Sequence, residues 1–130
     1  MIVIDTSALI DSLTGPRHLA RTLRDLIEAG ERLLLPSLVL YEWLRGPRLA
    51  EELAAQEALF PSESALPFGA REATLSARLY HSVQRPRGRE VDLAIAACAI
   101  AREAELWTLN AADFKDIPGL RIWSPEASTT

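Results

Sequence analysis

The chain has 130 residues, 48% of them hydrophobic, a length that suits one domain over 1–130, able to bury a core without disulfides or metal staples. Mean hydropathy is close to zero, no apolar run reaches the length of a membrane span, and no signal peptide is expected, so membrane and exported classes are set aside. The net charge of −4 argues against a protein that coats nucleic acid by bulk electrostatics, but not against an enzyme with a basic rim around a metal-loaded site.

Ile2-Val3-Ile4 reads as a buried parallel strand that stops at a carboxylate, Asp5. A short helix is expected from about Ser7, which can cap it, to Leu13, ending before Gly15-Pro16. A second helix is expected over Arg17 to Ala29, with Leu19, Leu23, Leu26 and Ile27 on one face and Gly30 as its C-cap. Arg32 to Leu35 reads as a second buried strand, ended by Pro36. Ser37 then caps a helix carrying Tyr41, Glu42 and Trp43, closed by Gly46-Pro47, and another helix follows from about Arg48 to Leu59. Ser64 to Pro67 suggests a short edge strand, and Ala70 to Val83 a helix with Leu75, Leu79 and Val83 in register. After the loop Arg85 to Arg89, Glu90 to Ala104 is apolar nearly all round and so reads as a buried helix. Its Cys98 is the only cysteine, a small core hydrophobe that fits a reducing cytoplasm. Leu106 to Leu109 is a third central strand, Leu120 to Trp123 the last, and about 124–130 a loose tail. Strands alternating with helices predict an α/β fold of three layers, a mostly parallel sheet flanked by helices.

Four acids punctuate this architecture: Asp5 ends the first strand, Glu42 follows the second, Asp92 lies in the first turn of the buried helix, and Asp113 follows the third central strand. Each has a plain explanation as a cap, a solvated helix residue or a first-turn acid. Together they ask for another. Asp92 stands between Val91 and Leu93 on a helix with almost no polar face, where a carboxylate is costly without a partner. Lys115 is the only lysine, so a metal ion is an available partner. Carboxylates gathered without clustered His or Cys favour Mg²⁺ or Mn²⁺ over Zn²⁺. His18 and His81 stand apart, as surface residues.

Ile-Asp-Thr-Ser-Ala-Leu-Ile at the start, Leu-Tyr-Glu after the second strand, Val-Asp-Leu-Ala-Ile-Ala-Ala in the buried helix and Leu-Trp-Thr-Leu-Asn-Ala-Ala-Asp-Phe near the end resemble a PIN domain. Order and spacing resemble the VapC toxins of bacterial and archaeal toxin–antitoxin systems, over essentially the whole chain. The resemblance implies a Mg²⁺- or Mn²⁺-dependent endoribonuclease whose acidic site is Asp5, Glu42, Asp92 and Asp113. Asp5, Asp92 and Asp113 would bind metal, Thr6 or Ser7 would support the metal or its waters, and Asn110 would orient Asp113 or a metal water. It further implies a homodimer and a VapB-like antitoxin whose C-terminal segment wraps the toxin.

Carboxylate-held metal would activate water, with Glu42 orienting or deprotonating it, and a water nucleophile predicts 5′-phosphate and 3′-hydroxyl ends. Arg85, Arg87 and Arg89 could contact phosphates at the mouth of the cleft or form a solvated loop; Arg45 and Arg48 offer a second rim. By the family, an unpaired loop in tRNA or rRNA is the expected target. Three other readings remain: a phosphatase with Asp5 as nucleophile, which lacks a second Asp at position 7 and a bracing lysine, a non-catalytic module that metal stabilises, and a DNA-directed variant of the nuclease. The segments Tyr41 to Trp43 and Leu75 to Tyr80 offer surface for a dimer or packing for the core.

Overall fold

The computed structural model describes residues 1–125. Three-residue strand β1 (Ile2–Ile4) is wholly buried and pairs in parallel on both sides. Ile2 and Val3 oppose Leu33 and Leu34 of β2 (Leu33–Leu34), while Ile2, Val3 and Ile4 oppose Glu105, Leu106 and Trp107 of β3 (Glu105–Trp107). β4 (Arg121–Trp123) completes a four-stranded sheet of order β2-β1-β3-β4, with Trp107 and Trp123 edge to face at 5.4 Å. β2 is thus an edge strand and only half-buried, not the buried strand its leucine run suggested.

Among the described residues six helices flank the sheet: α1 (Thr6–Leu13), α2 (Ala20–Glu28), α3 (Ser37–Arg45), α4 (Ala50–Leu59), α5 (Ala70–Ser82) and α6 (Glu90–Ala101). From β1 the chain crosses one way to β2, then back past β1 to β3. Right-handed crossovers in opposite directions lay their helices on opposite faces of a parallel sheet. β1 is therefore the strand at which the order reverses, and ligands in such sheets bind outside the strand ends at that switch point.

α6 runs through the core: Leu93 to Ala99 are all buried, and the helix packs on α5, α3, β1 and β3. Its alanines let those neighbours approach closely. Among the described residues no helix is long and apolar enough to cross a membrane.

Several ends differ from expectation. α2 starts at Ala20, three residues late, because Arg17 takes a positive φ and the Leu19 N–H donates to the Asp11 carboxylate at 3.0 Å. Its C-terminus closes at Gly30 (φ +78°), where the N–H groups of Gly30 and Glu31 return to the carbonyls of Ile27 and Leu26. Ser37 makes no side-chain cap; its N–H donates to the Leu66 carbonyl. The expected strand at 64–67 is a 3₁₀ turn, Ser62–Ser64, followed by one parallel bridge between Pro36 and Leu66. Trp43 is fully buried beneath the Arg48 guanidinium, 4.3 Å from its ring, and belongs to the core; Tyr41 beside it is exposed. Of the expected loose tail, Pro125 lines a groove with Thr22, Leu26 and Trp123, and 126–130 lie outside the described residues.

Candidate active site

Asp5 continues the β1–β3 ladder, its N–H donating to the Trp107 carbonyl at 2.9 Å, and then stands at the N-cap position of α1. It makes no side-chain cap bond there. The carboxylate is buried, at 5% exposure, and a buried carboxylate needs donors. Two hydroxyls supply them, both to Oδ2: Thr108 at 2.7 Å and Ser7 at 3.0 Å. Each hydroxyl has one proton, so the 3.2 Å approach of Ser7 Oγ to Thr108 Oγ1 is a contact between two oxygens already donating to Asp5. Their acceptor sides are filled by backbone: the Leu109 N–H donates to Ser7 and the Asn110 N–H to Thr108, each at 3.0 Å. Ser7 therefore does not cap α1, as the sequence suggested. It lies inside the helix and fixes the acid.

Thr108 was missed. A threonine at a strand end reads as an ordinary β-former. The signal lies in the pairing register: Ile4 opposes Trp107, which sets Asp5 beside Thr108 across adjacent strands.

Thr6 turns the other way and donates to Glu42 Oε1 at 2.6 Å, tying the first turn of α1 to α3. The other Glu42 oxygen lies 3.6 Å from Arg45, whose guanidinium also sits 5.3 Å from the Tyr41 ring centre. Consecutive residues, Thr6 and Ser7, thus hold two of the four acids. Asp92 is half-buried in the first turn of α6, and burial pushes its pKa up; the negative charges of Asp5, Asp113 and Glu42 push it further, against a smaller opposing effect of Arg89. All four acids therefore share one electrostatic neighbourhood. Asp113 is exposed, on the 3₁₀ turn Ala111–Phe114, which buried Phe114 anchors.

Asn110 acts through its backbone: its carbonyl accepts the Asp113 N–H at 2.8 Å, and among the described residues its side-chain amide makes no hydrogen bond. Of the arginines named for RNA, Arg85 and Arg87 are exposed, without ion pairs among the described residues. Arg45 is paired with Glu42 and Arg89 with Asp116, while Arg48 donates to the Trp43 and Pro47 carbonyls.

The donor set is all oxygen, and the three acids that raise the Asp92 pKa mark an excess of negative charge that a hard divalent cation would relieve. In charge and donor chemistry the residues fit Mg²⁺ or Mn²⁺. Among the described residues no three His, Cys, Asp or Glu side chains are grouped so as to hold an ion as they stand.

A family model for the PIN domain matches residues 2–120. Ribonuclease VapC19 of Mycobacterium tuberculosis is 38% identical over 128 residues, 93% of this chain and 98% of that protein. Solved structures share the fold, among them the following three. FitAcB from Neisseria gonorrhoeae has a TM-score of 0.73 at 16% identity, covering 97% of this chain and 99% of that one. DNA-bound VapBC from Salmonella typhimurium has a TM-score of 0.72 at 23% identity, covering 94% and 96%. VapBC2 from Rickettsia felis, bound to a DNA fragment from its promoter, has a TM-score of 0.71 at 20% identity, covering 95% and 100%.

Proposed function

The chain belongs to the PIN domain family, in its VapC type, and we propose on that premise that it is a metal-dependent endoribonuclease, the toxin of a type II toxin–antitoxin system. The observation that carries the reading is the gathering of Asp5, Glu42 and Asp113 near Asp92, whose pKa is raised first by burial and then by their charge, beside the switch point of the sheet. The similarity to a ribonuclease over nearly the full length of both chains supports the activity. The matched span 2–120 supports reading 1–130 as one PIN domain.

Asp5, Asp92 and Asp113 would hold Mg²⁺ or Mn²⁺, which supplies a water of lowered pKa and charge to offset that developing on the phosphoryl oxygens. Asp5 is the rigid member of that set, fixed on Oδ2 by Thr108 and Ser7. Glu42, aimed by Thr6, orients the attacking water or takes its proton. The water oxygen bonds to phosphorus and the bond from phosphorus to O3′ breaks. O3′ keeps the electron pair and takes up a proton, leaving a 5′-phosphate and a 3′-hydroxyl. Arg85 and Arg87, exposed before α6, are the arginines best able to meet the RNA backbone.

The same reading gives the chain a VapB-like antitoxin as partner, a homodimeric state, a structured RNA such as tRNA or rRNA as target, and a cytoplasmic setting. The VapBC complexes among the structural neighbours support the antitoxin. Total RNA incubated with Mn²⁺ or Mg²⁺ tests the activity. Discrete cuts are expected with the wild type and none with Asp5→Asn; a wild type that cuts nothing with either ion at any salt concentration would overturn it.

A further inference from the structure

Arg89 occupies the N-cap position of α6, one turn before Asp92. The sequence offered it as a phosphate contact, but its guanidinium is turned onto the segment after β3, with the side chain 21% exposed. Nη1 donates to Asp116 Oδ2 at 2.9 Å. Nη2 donates to Asp116 Oδ1 at 2.6 Å and to the backbone carbonyl of Asp113 at 2.8 Å. Three of its five N–H donors are thus committed, two of them in the bidentate fork that arginine forms with carboxylates.

These three bonds join two separate segments. Arg89 belongs to the start of α6, which carries Asp92; the accepting carbonyl is that of Asp113 in the 3₁₀ turn, and Asp116 follows two residues after that turn ends. Among the described residues no other hydrogen bond links the two. Phe114 and Ile117 bury this segment against the core, but Asp113 itself is exposed, so these three bonds are the polar link that sets it relative to Asp92. The pair is also electrostatically matched: Asp116 holds the Arg89 pKa up, and Arg89 holds the Asp116 carboxyl below its usual range. Lysine could not replace this arginine, because an ammonium cannot grip both carboxylate oxygens in a plane and reach the carbonyl as well.

We infer that Arg89 is a positioning residue, which with Asp116 clamps the Asp113 turn against the first turn of α6 and so sets the spacing of Asp92 and Asp113. The clamp complements the hydroxyls of Thr6 and Ser7, which brace Asp5 and Glu42 in the other half of the site. It rests on the proposed catalytic role of those acids, and it removes Arg89 from the arginines that meet RNA.

The test compares wild type, Arg89→Lys, Arg89→Ala and Asp116→Ala in two readouts: steady-state RNA cleavage, and amide hydrogen exchange of residues 110–117 in the metal-free protein. Asp116→Ala is the decisive variant, because it removes the two bonds of the bidentate fork and keeps the cation. It is expected to lower kcat roughly tenfold to a hundredfold, the usual cost of misplacing a catalytic group by about 1 Å, with KM little changed and faster exchange at 113–117. Arg89→Lys should behave the same way. An Arg89→Ala variant that raises KM at unchanged kcat, beside an Asp116→Ala variant with wild-type kcat, would overturn the clamp and restore the phosphate contact. Unchanged exchange in Asp116→Ala would also overturn it. A wild type that cleaves nothing would count against the proposed activity, and the exchange readout would still decide the clamp.

Discussion

Asp5 receives its two hydroxyl bonds from residues 101 positions apart in the chain, Ser7 and Thr108, and both fall on one oxygen. Replacing Thr108 by Val keeps the shape but leaves a buried carboxylate with one donor. The expected loss is about 1–3 kcal/mol of unfolding free energy, read from the midpoint of urea denaturation. Thr6→Val acts instead on Glu42. Losing one hydrogen bond of about 1 kcal/mol should lower kcat roughly fivefold without moving the denaturation midpoint by a comparable amount. The acids were legible in the sequence as a set: Asp5 ends an apolar run and Asp92 stands on an apolar helix, while Glu42 and Asp113 gained meaning only beside them. Thr108 and Asp116 were not, because their meaning comes from strand register and from an ion pair spanning 27 positions. Local pattern carries neither.

α6 joins the candidate site to the core of the sheet, and its identity was plain from composition alone: an apolar run with two acids, Glu90 and Asp92, in its first turn. Cys98 on this helix is 1% exposed. Burial, with a contribution from Glu72, pushes its thiol from 9.0 up to about 11. A raised folded pKa means that the stability contributed by the neutral thiol is complete below pH 9 and is lost as pH rises through about 11. A disulfide reagent at pH 8 should therefore modify the folded protein slowly and the urea-unfolded protein at once. Rapid native-state modification would place Cys98 outside the core. At the end of α2, Gly30 holds a φ of +78° that a Cβ disfavours. Gly30→Ala should cost about 1–2 kcal/mol by thermal or chemical denaturation. The glycine was legible as a helix stop. The late start of α2 was not, because it depends on the Asp11 carboxylate of another helix. Nor was the edge position of β2, because a leucine run looks alike in a central and an edge strand.

Across the whole molecule, one topological fact organises the site. The order β2-β1-β3-β4 makes β1 the reversal point and sets Asp5 beside Thr108 at its end, while α3 brings Glu42, α6 Asp92 and the turn after β3 Asp113 into one electrostatic neighbourhood. A parallel α/β sheet was readable from alternating elements; the strand order was not, and it is the order that decides which acids meet. Chelation with EDTA should abolish cleavage while leaving far-UV circular dichroism in place, because the core rests on apolar packing and not on the acids. Unfolding on chelation would make the metal structural. The most direct test of the central claim is the chemistry of the cut ends. RNA cleaved by the wild type with Mg²⁺ or Mn²⁺ should carry 5′-phosphate and 3′-hydroxyl termini, and Asp5→Asn should yield none. Termini bearing a 2′,3′-cyclic phosphate, or cleavage that persists in a folded Asp5→Asn protein, would contradict hydrolysis by a water activated at this acidic site.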